Sequence, residues 1–149
     1  MRVERLFLCG VVVLASVLTL SGQNSDTSKK SSAQNLPPFI VSGLDAYKQK
    51  GPEEAFRAWM KNSAIEGSKD ALSQANILRQ VQDFYGSYQD FEVISTRDIS
   101  PRVKAIYLEL DYEKGPVFAK FVAYRTEKEW ILAYFNFNTK EELILPASQ

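Results

Sequence analysis

The N-terminal half of the chain carries apolar residues at the spacing of amphipathic helices. Residues 41–50 form a first segment, which Gly51 ends. Pro52 then stands at a first helical position, where its missing N–H costs nothing. The stripe that follows consists of Ala55, Phe56, Trp59, Met60 and Ser63. This pattern predicts a short helix over 41–50 and a second helix from Pro52 to a stop at Gly67.

A third helical stripe follows this stop. Ser68 and Asp70 can each cap its start, and Gly86 marks its end. Apolar residues repeat every three to four positions along it: Leu72, Ala75, Leu78, Val81 and Tyr85, with Ile77 and Phe84 widening the face. The spacing predicts a third helix with a broad buried face.

The C-terminal half has the pattern of four strands joined by short turns. Four segments are rich in β-branched and aromatic residues, namely 90–100, 102–112, 116–125 and 130–138. They are separated by Pro101, by Lys114-Gly115 and by the polar run 126–129. Helices followed by hairpin-linked strands predict an α+β fold, in which N-terminal helices pack on an antiparallel sheet of about four strands.

Hairpin geometry assigns the strand side chains to two faces of this sheet. A two-residue loop at 114–115 sets Glu109 opposite Lys120, and opposite charges directly across a sheet help slightly. With Arg125 opposite Trp130, the face towards the helices receives Ile106, Leu108, Leu110, Tyr112, Val117, Ala119, Phe121, Ala123, Leu132, Tyr134, Asn136 and Asn138. A slip of one residue in either turn would exchange the faces of a whole strand.

The second face of the predicted sheet is also apolar. It would expose Tyr107, Phe118, Tyr124, Phe135 and Phe137. A soluble monomer normally shows less apolar surface than this. We therefore expect a homodimer that forms through this second face, most simply by a two-fold axis.

The first 22 residues have the pattern of a secretory signal peptide. Arg2 and Arg5 precede an apolar run over 6–20, and small residues follow it. The run is shorter than the about 17–25 residues of a membrane span. We expect a periplasmic or secreted protein after cleavage, with an N-terminal anchor in the inner membrane and a domain facing the periplasm as the alternative. Residues 23–38 have the composition of a disordered linker, and residues 39–146 are expected to form a single domain.

Charge and composition exclude several classes of function. Basic and acidic residues number 18 each, so no electrostatic argument favours a nucleic acid as partner. Histidine is absent and Cys9 is the only cysteine. A mature chain without either residue cannot hold a serine–histidine–aspartate triad or a cysteine nucleophile. It also lacks the usual zinc, copper and haem ligands, so we expect no metal and no cofactor.

Three short motifs resemble the nuclear-transport-factor-2-like superfamily, in particular its uncharacterised exported bacterial members. They are Tyr85-Gly86-Ser87-Tyr88, Tyr112-Glu113-Lys114-Gly115-Pro116 and Asn136-Phe137-Asn138-Thr139. The resemblance covers about residues 39–145 and implies a cone in which helices and a curved sheet enclose a pocket. Enzymes of that superfamily use pocket carboxylates with Tyr, His or Arg partners. The inward face offers no carboxylate in its strand centres, so no catalytic residue is assigned.

Five residues are candidates for ligand binding in such a pocket: Trp59, Tyr112, Tyr134, Asn136 and Asn138. Trp59 would supply an apolar wall, and the tyrosines and asparagines would supply the few polar groups that orient a ligand. The alternative is ordinary core, with hydroxyls and amides satisfied by backbone or water. Glu109 and Lys120 could form either a general acid–base pair or a structural ion pair.

The sequence thus favours an exported, non-enzymatic domain that binds a small ligand or a partner protein through a cone-shaped pocket. One alternative is an enzyme of isomerase, cyclase or hydrolase type that uses tyrosine and carboxylate chemistry in the same pocket. Another is a structural module of envelope assembly.

Overall fold

The computed structural model of the protein describes residues 35–147. The predicted signal peptide and most of the predicted linker lie outside these residues. Within them, no helix combines the length and the apolar character needed to cross a membrane. The helices are α1 (Pro38–Lys50), α2 (Pro52–Met60) and α3 (Lys69–Tyr85). The strands are β1 (Tyr88–Ser100), β2 (Val103–Tyr112), β3 (Gly115–Arg125) and β4 (Trp130–Asn138).

The predicted α+β class is confirmed. The strands pair in the order β1-β2-β3-β4, always antiparallel, and the sheet is curved and unclosed. The three helices pack on one side of it, which we call the inner face. On the other side, the outer face, a short 3₁₀ turn at Glu141–Leu143 follows β4.

Glycine separates α1 from α2, as predicted. Gly51 has φ +90°, a value that favours glycine, and its N–H donates to the Tyr47 carbonyl oxygen at 2.9 Å. Helix α1 begins at Pro38, three residues earlier than predicted. Leu36 and Pro37 are also buried, so the last residues of the predicted linker pack against the fold.

Helix α2 is shorter than predicted. It ends at Met60 because Lys61 is extended and Asn62 is left-handed, with φ +64°. Asparagine tolerates this conformation better than most residues. Ser63 therefore lies beyond the helix, and an irregular segment leads to α3. Ser68 caps that helix as predicted, its Oγ accepting from the Ala71 N–H at 3.1 Å.

The buried face of α3 is narrower than predicted. Ala71, Ala75 and Leu78 are its buried residues. By contrast, three apolar side chains are exposed: Leu72 at 64%, Ile77 at 43% and Phe84 at 78%. Successive helical residues are about 100° apart, so Leu72 and Ile77 flank the buried stripe and do not extend it.

The β2–β3 pairing differs from the predicted register by two residues. Tyr112 lies opposite Gly115, so the turn consists of Glu113 and Lys114. This turn is fixed by α3, since the Lys114 N–H donates to the Tyr85 carbonyl oxygen at 2.9 Å. A two-residue shift leaves every side chain on its predicted face. It does place Glu109 opposite Phe118, and not opposite Lys120 as predicted.

The predicted assignment of β4 side chains to the two sheet faces is wrong after Leu132, because β4 contains a β-bulge. Arg125 pairs with Trp130 as predicted, but Ala123 pairs with Leu132 and Val122 with Tyr134, so Ala133 is an extra residue. One extra residue exchanges the faces of everything that follows. Phe135 and Phe137 therefore join the inner face. Tyr134, Asn136 and Asn138, predicted to face the helices, lie on the outer face.

The chain itself covers part of the outer face. Ile144 is 5% exposed and packs in a small cluster with Ala105 and Tyr107, against which Phe118 and Leu145 also pack. Of the aromatic residues predicted to be exposed on this face, Tyr107 and Phe118 are thus covered, and the bulge moves two others inward. Only Tyr124 is left clearly accessible, at 37%.

Candidate functional site

The interior that the sequence suggested as a pocket is filled by an aromatic cluster. Trp59 is fully buried and packs edge-on against Phe56 and Phe121, with centroids 5.3 and 5.2 Å away. Its ring stacks on Phe135 at 5.3 Å. The indole Nε1–H donates to the Ile40 carbonyl oxygen at 3.2 Å. Trp59 is therefore a packed core residue whose one polar group has a backbone partner.

Three tyrosines form a second buried cluster where β1 begins and β2 ends. The Tyr47 and Tyr112 hydroxyls share a hydrogen bond of 2.7 Å, and the Tyr47 ring stacks on Tyr88 at 4.6 Å. Burial raises the pKa of Tyr47 and of Tyr88. It raises the pKa of Tyr112 to about 12, against a lowering effect of the hydrogen bond with Tyr47. These hydroxyls stay protonated at neutral pH and do not provide a phenolate base.

The other three predicted site residues lie across the sheet from this interior. Tyr134 is 49% exposed on the outer face, where the Lys120 ammonium lies 6.0 Å from its ring centroid. Asn138 Oδ1 accepts from the Lys140 N–H at 2.9 Å, and Asn136 pairs opposite Lys120. Trp59 and Tyr112 are thus on one side of the sheet and Tyr134, Asn136 and Asn138 on the other. The five residues do not line one pocket.

Glu109 and Lys120 do not form the suggested acid–base pair. Glu109 lies among carboxylates: Glu92 is directly opposite, and Asp111 shares a hydrogen bond with it. Burial, then Asp111, and then Glu92 and Glu141 raise the pKa of Glu109. Lys120 instead lies over the Tyr107 ring, at 5.6 Å. Between residues 35 and 147, no cluster of three or more acidic, cysteine or histidine side chains could hold a metal ion.

Two surface grooves in the part of the chain that the structure describes are candidate places for a ligand. The first lies between α2 and α3, has apolar walls that include Phe56, Met60 and Leu72, and has a volume of about 140 Å³. Ligand pockets commonly measure about 300–1,000 Å³. This groove is below that range, so it suits a single side chain better than a small molecule.

The second groove has the size of a ligand site, with a volume of about 380 Å³. It lies where the start of α1, the end of α2 and the β3–β4 turn meet. Its lining combines apolar walls with hydroxyl, amide and charged groups: Pro38, Phe39, Ser42, Ala58, Lys61, Asn62, Glu129 and Trp130. We call it the Trp130 groove.

One residue joins the two sides of the Trp130 groove. Asn62 Nδ2 donates to Glu129 Oε1 at 2.8 Å, which ties the segment after α2 to the β3–β4 turn. The backbone N–H of Asn62 donates to Glu66 Oε2 at 2.8 Å. These contacts hold the left-handed backbone that ends α2. Conformations of this kind occur at binding sites, where the surrounding structure maintains them.

Cations surround the indole ring of this groove. Lys104 Nζ and Arg125 Cζ lie 5.7 and 5.6 Å from the Trp130 ring centroid, within the range of a cation–π contact. Lys104 also pairs with Asp98 at 3.5 Å. Lys61 adds a third cation from the end of α2, while the Glu129 carboxylate accepts from Asn62. Lys104 and Arg125 lie against the ring outside the groove lining, so the groove offers a flat aromatic surface with Lys61 as the cation of its own lining.

Sequence reasoning missed this groove. Its residues come from three distant parts of the chain, and each part looks like an ordinary helix end or turn. The available signal was the tryptophan directly after the polar turn 126–129, next to Arg125. An aromatic at a strand start beside cationic residues could have been named as a surface site.

Comparison with known proteins supports the fold and gives no activity. No protein-family model and no curated protein matches the chain. A solved structure from Nostoc punctiforme, described as a domain of unknown function with a cystatin-like fold, matches with a TM-score of 0.50. The two chains are 14% identical, and the match covers 76% of this chain and 78% of the other. At this identity the likeness concerns the fold alone.

This match corrects the family expected from the sequence motifs. The structural neighbour has a cystatin-like fold, and the expected membership in the nuclear-transport-factor-2-like superfamily is not supported. The physical reason lies in what the motifs encode. Tyr85-Gly86-Ser87-Tyr88 ends a helix, 112–116 is a hairpin turn, and 136–139 ends a strand. Such local features occur in any fold in which helices precede a sheet of hairpin-linked strands.

Proposed function

We propose that this protein is an exported, non-catalytic binding domain that takes a small ligand in the Trp130 groove. The observation that carries the proposal is the half-buried indole of Trp130, set in a groove of about 380 Å³ with cations at its ring. Cations close to an aromatic platform favour a ligand that combines a planar apolar part with a carboxylate. Ser42 and Asn62 add polar groups that could orient it.

A binding role agrees better with the chemistry of the described residues than an enzymatic one. The buried tyrosine hydroxyls are engaged with each other or packed in the core. Glu109 lies opposite Glu92 on the sheet and does not line either groove. Neither arrangement pairs an acid with a base across a space that a substrate could enter, as general acid–base catalysis requires.

Export is proposed from the sequence. The basic start, the apolar run over 6–20 and the small residues after it support a signal peptide. The absence of cysteine after Cys9 suits a domain whose core holds it together without disulfides. The protein would then lie in the periplasm or outside the cell, or be held there by an uncleaved N-terminal anchor. In each case the Trp130 groove would be accessible to ligands outside the cytoplasm.

A homodimer through the outer face is also proposed, over a smaller area than the sequence suggested. Tyr124 and Tyr134 are its exposed aromatic residues, at 37% and 49%. Sedimentation of the purified protein at micromolar concentration tests it. A dimer that Tyr134→Glu dissociates supports this contact, and a monomer throughout contradicts it.

Calorimetric titration tests the ligand proposal with three probes of one shape: benzoate, benzamide and benzylamine. We expect benzoate to bind in the millimolar range typical of so small a ligand, with benzamide weaker and benzylamine weakest.

Lys61→Gln should weaken benzoate binding by about two- to fivefold, the value of one exposed charge contact. Lys128→Gln, a lysine of the β3–β4 turn outside the groove lining, is the matched control. Equal binding of the three probes would overturn the proposal.

A further inference from the structure

The two edge strands of the sheet differ in how well they can accept another strand. β1 has three register irregularities and carries charged side chains such as Arg97 and Asp98. Irregularities and charges of this kind hinder pairing with a further strand. β4 has a single irregularity, and residues 130–138 include neither a charged residue nor a proline. β4 is therefore the edge strand that is better suited to pair with a further strand.

The side of β4 that faces away from β3 is called its free edge here. Between residues 35 and 147, β3 is the only segment to which the backbone of residues 130–138 is hydrogen-bonded. Tyr134 is 49% exposed on the outer face beside this edge, and Phe137 is half-buried on the inner face. An added strand would thus meet backbone donors and acceptors, with an aromatic side chain on either face.

The Trp130 groove lies at one end of this free edge. Trp130 is the first residue of β4, and no residue of β1, β2 or β3 lines the groove. Neighbouring strands of the sheet are antiparallel throughout. A strand added to β4 in the same sense would therefore run from Asn138 towards Trp130, and its C-terminus would reach the groove beside Lys61.

We propose that the free edge of β4 and the Trp130 groove together bind the extended C-terminal tail of a partner protein that ends in an aromatic residue. The tail backbone pairs antiparallel with β4, the last ring lies on Trp130, and the terminal carboxylate meets the Lys61 ammonium. This inference rests on the proposed function, because the ligand proposed there, a planar apolar group with a carboxylate, has the chemistry of such a last residue.

A chain end fits this edge better than a second copy of the protein does. In a second copy, the chain continues from β4 into the turn at Glu141–Leu143. Its β4 therefore has no terminal carboxylate to place beside Lys61, and pairing of two β4 edges would not fill the groove of about 380 Å³. A tail that ends in the groove uses the edge, the indole ring and the cation together.

Calorimetric titration and ¹H–¹⁵N spectra of the protein test the proposal with two probes. N-acetylphenylalanine fits the groove alone. An acetylated heptapeptide, with three threonine-valine repeats before a C-terminal phenylalanine carboxylate, also reaches the edge. Both should shift the Trp130 indole signal. The heptapeptide should bind about tenfold more tightly, since its added backbone hydrogen bonds exceed the cost of ordering it. At about 3.3 Å per residue, it alone should slow amide exchange over residues 131–137.

N-methylation of the heptapeptide is the matched control. In an extended strand, the N–H groups of successive residues point to opposite sides. Either the three threonine or the three valine nitrogens therefore face β4. Methylation of that set should remove the gain in affinity, and methylation of the other set should preserve it.

Three results would overturn the proposal. A heptapeptide that binds no more tightly than N-acetylphenylalanine, or two methylated peptides of equal affinity, would overturn the tail and leave the groove ligand in place. A Trp130 signal that responds to neither probe would overturn the proposed function and this inference with it. Amides of β4 that are protected without peptide, increasingly so at higher protein concentration, would assign the edge to a second copy.

Discussion

Trp59 faces inward, as its helical spacing predicts, but it is a core residue and not the wall of a pocket. The helical stripe identifies it as inward-facing, and it is fully buried. What the stripe cannot show is that the ring fills the space between α1 and the sheet. That depends on Gly43, where an added Cβ would lie only 2.0 Å from Trp59 Nε1.

Gly43→Ala tests this close approach. Alanine gains about 1 kcal/mol over glycine in helix propensity, yet the new methyl group would overlap the indole ring. Because Trp59 is packed on all sides, we expect the clash to prevail, with a net loss of about 1–3 kcal/mol in the free energy of unfolding. Urea denaturation measures it, and Gln49→Ala on the exposed side of the same helix is the control. A more stable Gly43→Ala protein would contradict the tight packing.

Tyr112 is predicted to contribute to stability through its hydroxyl. Tyr112→Phe removes the 2.7 Å hydrogen bond with Tyr47 and should cost about 0.5–1.5 kcal/mol. In the native protein the raised pKa values also favour the protonated tyrosines. Stability that is present below pH 10 should be lost as the pH rises through about 12. Denaturation at pH 8 and pH 11 measures both effects, and a Tyr112→Phe protein of unchanged stability would contradict them.

Among the elements, β4 is the strand in which the predicted alternation of side chains between the two sheet faces fails. Its bounds are as expected, and so is the pairing of Arg125 with Trp130. Asn136 and Asn138 alternate with Phe135 and Phe137, which favours the phenylalanines as the inward residues, but the apolar run 130–135 does not show where the alternation is interrupted. The bulge alone moves Phe135 to the core and Asn136 away from it.

Deleting Ala133 should therefore be tolerated. Without the extra residue, Tyr134 follows Leu132 in a regular ladder, and Phe135 and Phe137 keep the faces that they have in the native protein. We expect the deletion variant to unfold cooperatively by circular dichroism. Deleting Ala119, which pairs with both Leu108 and Phe137, would turn one part of β3 to the wrong face and should abolish cooperative unfolding. Loss of cooperative unfolding in the Ala133 deletion variant would contradict the assigned bulge.

At the scale of the whole molecule, the fold was predictable and the candidate site was not. Helix stops at Gly51 and Gly86, and the turns between strands, are local signals that suffice for an α+β arrangement. The Trp130 groove joins residues near 38–42, 58–62 and 129–130, and their proximity is a property of the tertiary structure. The coverage of the outer face by Ile144 is likewise a long-range contact that periodicity does not encode.

Ile144 tests whether the C-terminal segment 141–145 belongs to the folded unit. Ile144→Ala leaves a gap over Ala105 and Tyr107, and we expect a loss of about 1–3 kcal/mol, at the lower end for a buried isoleucine because the cluster is small. Leu143→Ala is the matched control, since Leu143 is 60% exposed. Thermal denaturation of both variants measures the difference. Equal effects of the two substitutions would contradict the packing described for the outer face.

We propose that ligand binding takes place in the Trp130 groove and not in the interior of the fold. The protein has two tryptophans, whose indole N–H signals report separately on these two places in a ¹H–¹⁵N spectrum. A benzoate titration should shift the Trp130 signal progressively and leave the hydrogen-bonded Trp59 signal unchanged. A shift of the Trp59 signal with a stationary Trp130 signal would contradict the account and return the site to the interior.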